Sequence, residues 1–155
     1  MGLAAQWQCK EESVAITKEQ LIEGLNEDLA GELQAVIMYI QYSASVKGPY
    51  RQQLSQFFAG EIADELMHAQ FLANKVAALG GLPTVQPKPV PQTDDARQML
   101  QNVFDAESAT IETYKQRVEQ AEEYGDIGLV NQLEDQIADE TNHKEEAGKI
   151  LAGWS

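Results

Sequence analysis

The segment Glu65–His68 reads ELMH and the segment Glu140–His143 reads ETNH, and together they contain both histidines of the chain. On a helix, residues three positions apart lie on one face, so each segment can direct a carboxylate oxygen and an imidazole nitrogen to one point. A further glutamate precedes each segment at the same distance along the chain, Glu32 before Glu65 and Glu107 before Glu140. Four glutamates and two histidines in this pattern are the ligand set of a two-metal carboxylate site.

The two segments belong to an internal repeat in which one half of the chain matches the other at a constant offset. The residues Glu32, Tyr39, Glu65 and His68 recur at that offset as Glu107, Tyr114, Glu140 and His143. A repeat of this length predicts two similar helical hairpins that pack about an approximate two-fold axis.

Length and composition indicate one domain, because 155 residues with 43% hydrophobic side chains can bury a substantial core. Residues 1–16 show no sustained hydrophobic period, so we expect a flexible N-terminal extension followed by a single domain over residues 17–155. The only cysteine, Cys9, excludes an internal disulfide framework. No apolar run is long enough for a membrane span, and the N-terminus lacks a signal-peptide pattern. We therefore expect a cytoplasmic protein.

The formal net charge of −14 disfavours nucleic acid as a partner, because phosphate binding requires clustered lysine and arginine. An acidic surface attracts cations instead. Most of the 25 acidic side chains are nevertheless expected to be ordinary solvated surface residues.

Turn residues divide the chain into four long helical segments and leave no segment with the alternation of a half-buried strand. Thr17 and Gln20 form a capping-box pattern at the start of the first helix. The predicted helices run from about Lys18 to Val46, from about Arg51 to Gly80–Gly81, from Thr93 or Asp94 to Tyr124, and from a cap at Asp126 to about Leu151.

The segment Leu82–Gln92 contains four prolines and no helical period. It is too long for a tight antiparallel turn, so we expect it to cross over to the other end of the bundle before the third helix begins. The predicted fold is an all-α four-helix bundle with a long crossover between the second and third helices.

Each predicted helix has an apolar stripe with a glutamate near its middle. The stripes consist of Leu25, Leu29, Glu32, Val36 and Tyr39; Leu54, Phe58, Glu65, Leu72 and Val76; Leu100, Phe104, Glu107, Ile111, Tyr114 and Val118; and Leu129, Leu133, Ile137, Glu140, Ala147 and Ile150. The alternative is that these glutamates lie on solvated helix faces.

Four facing carboxylates in a dry bundle would each be destabilising by several kcal/mol unless protons or cations compensated them. Two divalent cations balance four carboxylates, and the imidazoles add ligands without charge. Oxygen and imidazole ligands favour iron, with manganese as the alternative, over structural zinc, which prefers thiolates. Tyr39 and Tyr114 lie near the glutamates in sequence and can donate hydrogen bonds to ligands or take part in electron transfer, although aromatic residues at helical spacing are more often plain core.

From about Lys18 to Ile150, the sequence resembles the ferritin-like superfamily, and within it the bacterioferritins most closely. Besides the six ligands, the resemblance includes Tyr39 two helical turns after Glu32, the segment Leu79–Pro83 and the Gly125–Asp126 corner. It implies a ferroxidase that oxidises Fe(II) with O2 or H2O2 for iron storage or detoxification in a homo-oligomeric shell.

The resemblance also implies the roles of individual residues. Glu32 and His68 would bind one iron. Glu107 and His143 would bind the other, with Glu65 and Glu140 bridging the two. Tyr39 would join these six residues as a catalytic residue.

The sequence departs from the bacterioferritin pattern in two places. The haem-binding methionine of that family follows the bridging glutamate directly, whereas here Leu66 follows Glu65 and Met67 comes one place later. One position rotates a side chain by about 100° on a helix, so we expect no haem. The sequence also ends at Ser155, too soon after His143 for the family's short fifth helix. The oligomer is therefore left open between shells of 24 or 12 subunits and a dimer.

Two other functions fit parts of the pattern. A dinuclear redox enzyme that stores no metal, resembling a peroxidase or a manganese catalase, would use the same ligands. A stress-protective DNA-binding shell would give a role to the N-terminal extension, but that extension carries a single lysine, Lys10.

Overall fold

The computed structural model describes residues 15–154, which form four long helices and contain no strand. The helices are α1, Lys18–Ser45; α2, Arg51–Ala78; α3, Ala96–Tyr124; and α4, Ile127–Ala152. The all-α prediction is confirmed. Cys9 and most of the predicted extension lie outside the described residues. The last residue of that predicted extension, Ile16, packs against the bundle core.

The helix ends follow the local sequence signals. The Thr17 hydroxyl accepts a hydrogen bond from the Gln20 backbone N–H, and the Gln20 side chain accepts one from the Thr17 N–H, as the capping box predicts. The predicted start of α3 at Thr93 or Asp94 is wrong by two or three residues. The helix begins at Ala96, because the Asp95 carboxylate caps the N–H of Gln98.

The segment between α2 and α3 runs alongside α1 in the same direction. The Asn26 side chain donates a hydrogen bond to the carbonyl oxygen of Leu82, and the Lys88 N–H donates to the carbonyl oxygen of Ala30. Further along, the Tyr42 hydroxyl donates to the carbonyl oxygen of Pro91 at 2.6 Å. The predicted crossover is therefore confirmed, and it makes α3 antiparallel to α1.

Helix α1 packs against α2, and α3 packs against α4, so that the two hairpins meet mainly between α1 and α3. The apolar side chains form two clusters. One contains Leu21, Leu25, Leu29, Leu72, Val76, Ala121, Leu129 and Leu133. The other contains Met38, Tyr42, Leu54, Phe58, Met99, Leu100, Val103 and Ala147. Along every helix a buried polar position separates the two clusters, which places a polar layer in the middle of the bundle.

The predicted apolar stripes are buried with four exceptions on α3 and α4. Phe104, Val118, Ile137 and Ile150 are only partly buried. Val118 and Ile137 line an open groove between α3 and α4. The apolar stripes of these two helices are therefore wider than the surfaces that the neighbouring helices cover. Among the described residues, no helix is both long and apolar enough to span a membrane.

The corner between α3 and α4 combines a left-handed glycine with a charged cap. Gly125 has φ +86°, a conformation that side chains disfavour. The Asp126 carboxylate then accepts the N–H of Leu129 at 3.0 Å and pairs with Lys75 of α2. Burial acts to raise the pKa of Asp126, but the Lys75 ammonium and the Leu129 N–H lower it below the ordinary aspartate value.

Replacing this cap should weaken the fold measurably. We expect Asp126→Ala to reduce the free energy of unfolding by about 1–2 kcal/mol at neutral pH, because both the cap and the ion pair are lost. The folded-state pKa of Asp126 is depressed, so the difference from wild type should shrink as the pH falls below 3.8. Urea denaturation of the metal-free protein measures it. Asp94→Ala, beside the α3 cap, is the control and should change stability by less than about 0.5 kcal/mol.

Candidate metal centre

The six predicted ligands converge in the polar layer, and all six are buried. Their oxygen and nitrogen atoms form two groups of four, and within each group the atoms lie within 4.8 Å of one another. One group is Glu32, Glu65, His68 and Glu140, and the other is Glu65, Glu107, Glu140 and His143. The two groups share Glu65 and Glu140. This is the geometry that two cations with two bridging carboxylates require.

Both histidines direct Nδ1 into the centre. The Nδ1 atom of His68 lies 2.8 Å from Oε1 of Glu140. The Nδ1 atom of His143 lies 3.1 Å from Oε1 of Glu65 and 3.3 Å from Oε2 of Glu140. Because each histidine follows the glutamate of its own helix by one turn, helix geometry alone brings each pair to the same side of the bundle.

The two repeated tyrosines bond across the hairpins rather than within them. The Tyr39 hydroxyl on α1 donates to Oε1 of Glu107 on α3 at 2.5 Å. The Tyr114 hydroxyl on α3 donates to Oε1 of Glu32 on α1. Both tyrosines are fully buried. Each glutamate outside the ExxH segments is thus held by the tyrosine of the opposite hairpin.

Outside the six ligands, three carboxylates contact the outer nitrogens of the histidines, and our sequence reasoning did not identify them. Oδ2 of Asp139 is 3.4 Å from Nε2 of His68. Nε2 of His143 is 2.7 Å from Oε2 of Glu61 and 3.7 Å from Oδ2 of Asp64. The repeat contained a signal for two of them, because Asp64 and Asp139 each precede the glutamate of an ExxH segment.

Burial is the largest cause of the raised pKa values of three of the four carboxylates. Desolvation, followed by the charges of Glu65 and Glu140, raises the pKa of Glu32 well above its usual range. Desolvation and the neighbouring Glu140 do the same to the pKa of Glu107. The pKa of Glu65 is also raised by burial. These groups repel a second negative charge and favour a proton or a cation.

The remaining groups behave differently because they have charged partners. Burial acts to raise the pKa of Glu140, but contacts with Glu107 and with both histidines lower it instead. Burial acts to lower the pKa values of His68 and His143, and in both cases the facing carboxylates reverse the direction and raise them. The pKa of Tyr39 is raised well above its ordinary value by burial and by Glu107, so the hydroxyl keeps its proton.

Within residues 15–154, three buried atoms of the centre lie close to one another but make no hydrogen bond of acceptable geometry. They are Oε1 of Glu65, Oε2 of Glu140 and Nδ1 of His143. A buried polar atom without a partner is destabilising by about 1–3 kcal/mol. Since all three atoms belong to the second ligand group, cation binding would satisfy them, and their oxygen and imidazole character suits iron or manganese. The residues therefore fit a pair of divalent ions.

The residues considered for haem binding lie on the outer side of α2. The side chains of Leu66 and Met67 are both exposed, at 51% and 61% of their full accessible surface. The expectation that the chain binds no haem stays a prediction.

Comparison with known proteins agrees with this architecture. The family model described as the ferritin-like domain matches residues 22–154. A crystal structure of a ferritin-like, diiron-carboxylate protein from Bacillus anthracis str. Ames is 51% identical to the chain and superposes on it with a TM-score of 0.85. The match covers 86% of this chain and 96% of that one.

Two further proteins are similar. The bacterioferritin of Desulfovibrio desulfuricans is 32% identical over 81% of this chain and 71% of its own length. Its X-ray structure, titled for a diiron site in different catalytic states, superposes with a TM-score of 0.81 at 30% identity, covering 87% of this chain and 80% of that one. Dps from Thermosynechococcus elongatus shares the fold at 22% identity, with a TM-score of 0.83 over 89% of this chain and 94% of its own. The likeness to bacterioferritins and other ferritin-like di-iron proteins, predicted from the ligand spacing, is confirmed.

Binding of divalent metal should stabilise the fold through the shared ligands. We expect Co(II), added without oxygen at roughly 100 times its Kd, to raise the Tm by about 5–10 °C. Glu140→Ala removes a ligand of both groups and should abolish the rise. Glu145→Ala, an exposed residue on the same helix, is the control and should retain it. An equal rise in the Glu140→Ala protein would contradict the assignment.

Proposed function

The chain belongs to the ferritin-like domain family, and from that premise we propose that it is a ferroxidase, which oxidises Fe(II) to Fe(III) at a di-iron centre within one chain. The observation that carries the proposal is the pair of four-ligand groups that share Glu65 and Glu140. Such sharing holds two ions close enough to act on one oxidant molecule.

In the proposed centre, each Fe(II) substrate ion has its own glutamate and histidine. Glu32 and His68 bind one ion, and Glu107 and His143 bind the other. Glu65 and Glu140 bridge the two. The charge of two Fe(II) ions equals that of four carboxylates, so the loaded centre is close to neutral, which a buried site requires.

Reduction of O2 or H2O2 at this centre requires two electrons delivered to one oxidant molecule. Each Fe(II) gives one electron, so a pair reduces O2 to H2O2 with uptake of two protons, or reduces H2O2 to two water molecules with the same uptake. Paired delivery avoids release of one-electron radicals. The protein contributes the arrangement of carboxylates, the exclusion of bulk water by the two apolar clusters, and the retention of both ions until the oxidant arrives.

Tyr39 is the proposed seventh residue of the centre. Its hydroxyl lies 2.5 Å from Oε1 of Glu107, so it orients a ligand and stands within reach of the reacting ions. Tyr114 holds Glu32 in the same way. A phenol in direct contact with a ligand can also supply an electron or a proton, and we assign that role to Tyr39.

We extend the proposal to storage. The Fe(III) product moves into a mineral core inside a homo-oligomeric shell of copies of residues 17–155, located in the cytoplasm. The net charge of −14 supports cation handling rather than nucleic-acid binding. The second candidate is a dinuclear redox enzyme that does not store metal, which would use the same two ligand groups.

Aerobic Fe(II) titration tests the oxidation step. We expect a fast phase that consumes about two irons per chain, because each chain provides two ligand groups. Glu65→Ala and His143→Ala should abolish the fast phase. Tyr39→Phe should slow it by about 10-fold or more if the hydroxyl takes part in proton or electron transfer. Glu145→Ala is the control. A fast phase that is unchanged in Glu65→Ala would refute the proposed centre.

Iron loading distinguishes iron storage from redox turnover that stores no iron. We expect aerobic addition of Fe(II) well above two ions per chain to give electron-dense cores inside particles that size-exclusion chromatography shows to be larger than a dimer. A small oligomer that turns over H2O2 repeatedly and forms no core would favour the second candidate. Electron microscopy and light scattering after loading provide the measurement.

A further inference from the structure

The outer nitrogens of the two histidines face different surroundings. Nε2 of His143 is 2.7 Å from Oε2 of Glu61, whose side chain is only 19% exposed. Asp64 adds a second carboxylate oxygen at 3.7 Å. On the other side, the one carboxylate of residues 15–154 near Nε2 of His68 is that of Asp139, which lies at 3.4 Å and is 56% exposed. The outer nitrogen of His143 therefore has a short, shielded carboxylate contact, whereas that of His68 has a longer contact with a carboxylate that is exposed to water.

The internal repeat explains this difference. The offset that carries Glu65 onto Glu140 also aligns Asp64 with Asp139, but it aligns Glu61 with Gln136. Gln136 is buried, and in the part of the chain that the structure describes its Oε1 has no hydrogen-bond partner. Among the described residues, the hydrogen bonds of the His68 ring go to Glu140 and Asp139 only. At the position that matches Glu61, the other half of the repeat thus has a buried amide instead of a carboxylate.

The inner nitrogens of both histidines face carboxylate oxygens. Nδ1 of His143 lies 3.1 Å from Oε1 of Glu65 and 3.3 Å from Oε2 of Glu140, and Nδ1 of His68 lies 2.8 Å from Oε1 of Glu140. The inner surroundings of the two rings are therefore similar, and the rings differ at their outer nitrogens.

We propose that Glu61 is a positioning residue for His143 and that, as a result, the ion position formed by Glu107 and His143 binds divalent metal more tightly than the position formed by Glu32 and His68. This inference rests on the proposed di-iron function. A carboxylate on the outer nitrogen of a ligating histidine fixes the ring orientation and makes the inner nitrogen a stronger donor.

Unequal affinities of the two ion positions would make the ions bind in a fixed order. The tighter position fills first and keeps its ion, whereas the weaker position exchanges with solution. Two-electron reduction of the oxidant needs both ions, so the affinity of the weaker position sets the Fe(II) concentration at which oxidation begins. At low Fe(II), a half-filled centre stays inactive.

Anaerobic titration of the full chain with Co(II) alone tests the order. Calorimetry gives the affinities, and the visible absorption of Co(II) reports the ligands of each ion. We expect two separate steps of one ion each in the wild type. His143→Ala should remove the tighter step and His68→Ala the weaker one. Two equal affinities in the wild type, or the opposite assignment, would overturn the inference.

Variants of Glu61 test the positioning role. Glu61→Ala should weaken the tighter step by roughly 10–100-fold and leave the weaker step unchanged. Glu61→Gln keeps an acceptor of the same length and should restore most of the affinity and the wild-type Co(II) spectrum. Glu145→Ala is the control for a nearby lost charge. An unchanged tighter step in Glu61→Ala would overturn the role of Glu61.

The two levels of the proposal fail in different ways. If the wild-type chain takes up no Co(II), the di-iron function itself is wrong. If it takes up two ions, loses both in Glu140→Ala and binds them equally in wild type and Glu61→Ala, the di-iron function stands and only the positioning role fails.

Discussion

Burial of four carboxylates in one layer is the constraint on which the rest of this bundle depends. Each carboxylate loses its hydration, and the described structure compensates only part of that loss through two histidines and two tyrosine hydroxyls. The apolar clusters on either side must therefore provide the stability that the centre lacks. Stability alone does not explain these four carboxylates, because a core selected only for stability would have apolar side chains in that layer. We attribute them to the metal binding that we propose.

The same layer aligns the two hairpins. Three polar contacts join α1 to α3 at successive levels: Asp28 with Arg117, Glu32 with Tyr114, and Tyr39 with Glu107. An apolar interface tolerates small sliding of its helices, but a slip of one turn, about 5.4 Å, would break all three contacts at once. Buried polar pairs are well attested as devices that fix register. The contacts that position the ligands thus also keep the two halves of the centre opposite each other.

How far the sequence predicts this structure depends on the range of each interaction. The ExxH segments, the capping box at Thr17 and the glycine corner at Gly125 were identifiable because their geometry is set within one helix or turn. The start of α3 was misplaced because Thr93, Asp94 and Asp95 are all acceptable caps, and the local sequence does not rank them. The partners of the tyrosines and of the histidines' outer nitrogens were not predictable, because they depend on how one helix faces another. Glu61, for example, has no feature in the sequence that separates it from surface glutamates.

The two halves of the chain differ at two kinds of position. One kind affects how the hairpins pack, and the other contacts a predicted ligand. Asp28 and Arg117 align through the repeat with Val103 and Tyr42, so among the described residues this buried ion pair has no counterpart at the other end of the bundle. Arg117 needs Gly24 at that end, since a side-chain carbon there would overlap the guanidinium. This difference affects the register of the hairpins and lies away from the ligand atoms. By contrast, Glu61 contacts the predicted ligand His143 directly, so the change from Glu61 to Gln136 affects the centre itself. Under the proposal, a repeat that preserves all six predicted ligands but changes a residue behind one histidine keeps the capacity for two ions while making the two positions unequal. Unequal positions would then let a symmetric bundle bind its ions in a defined order.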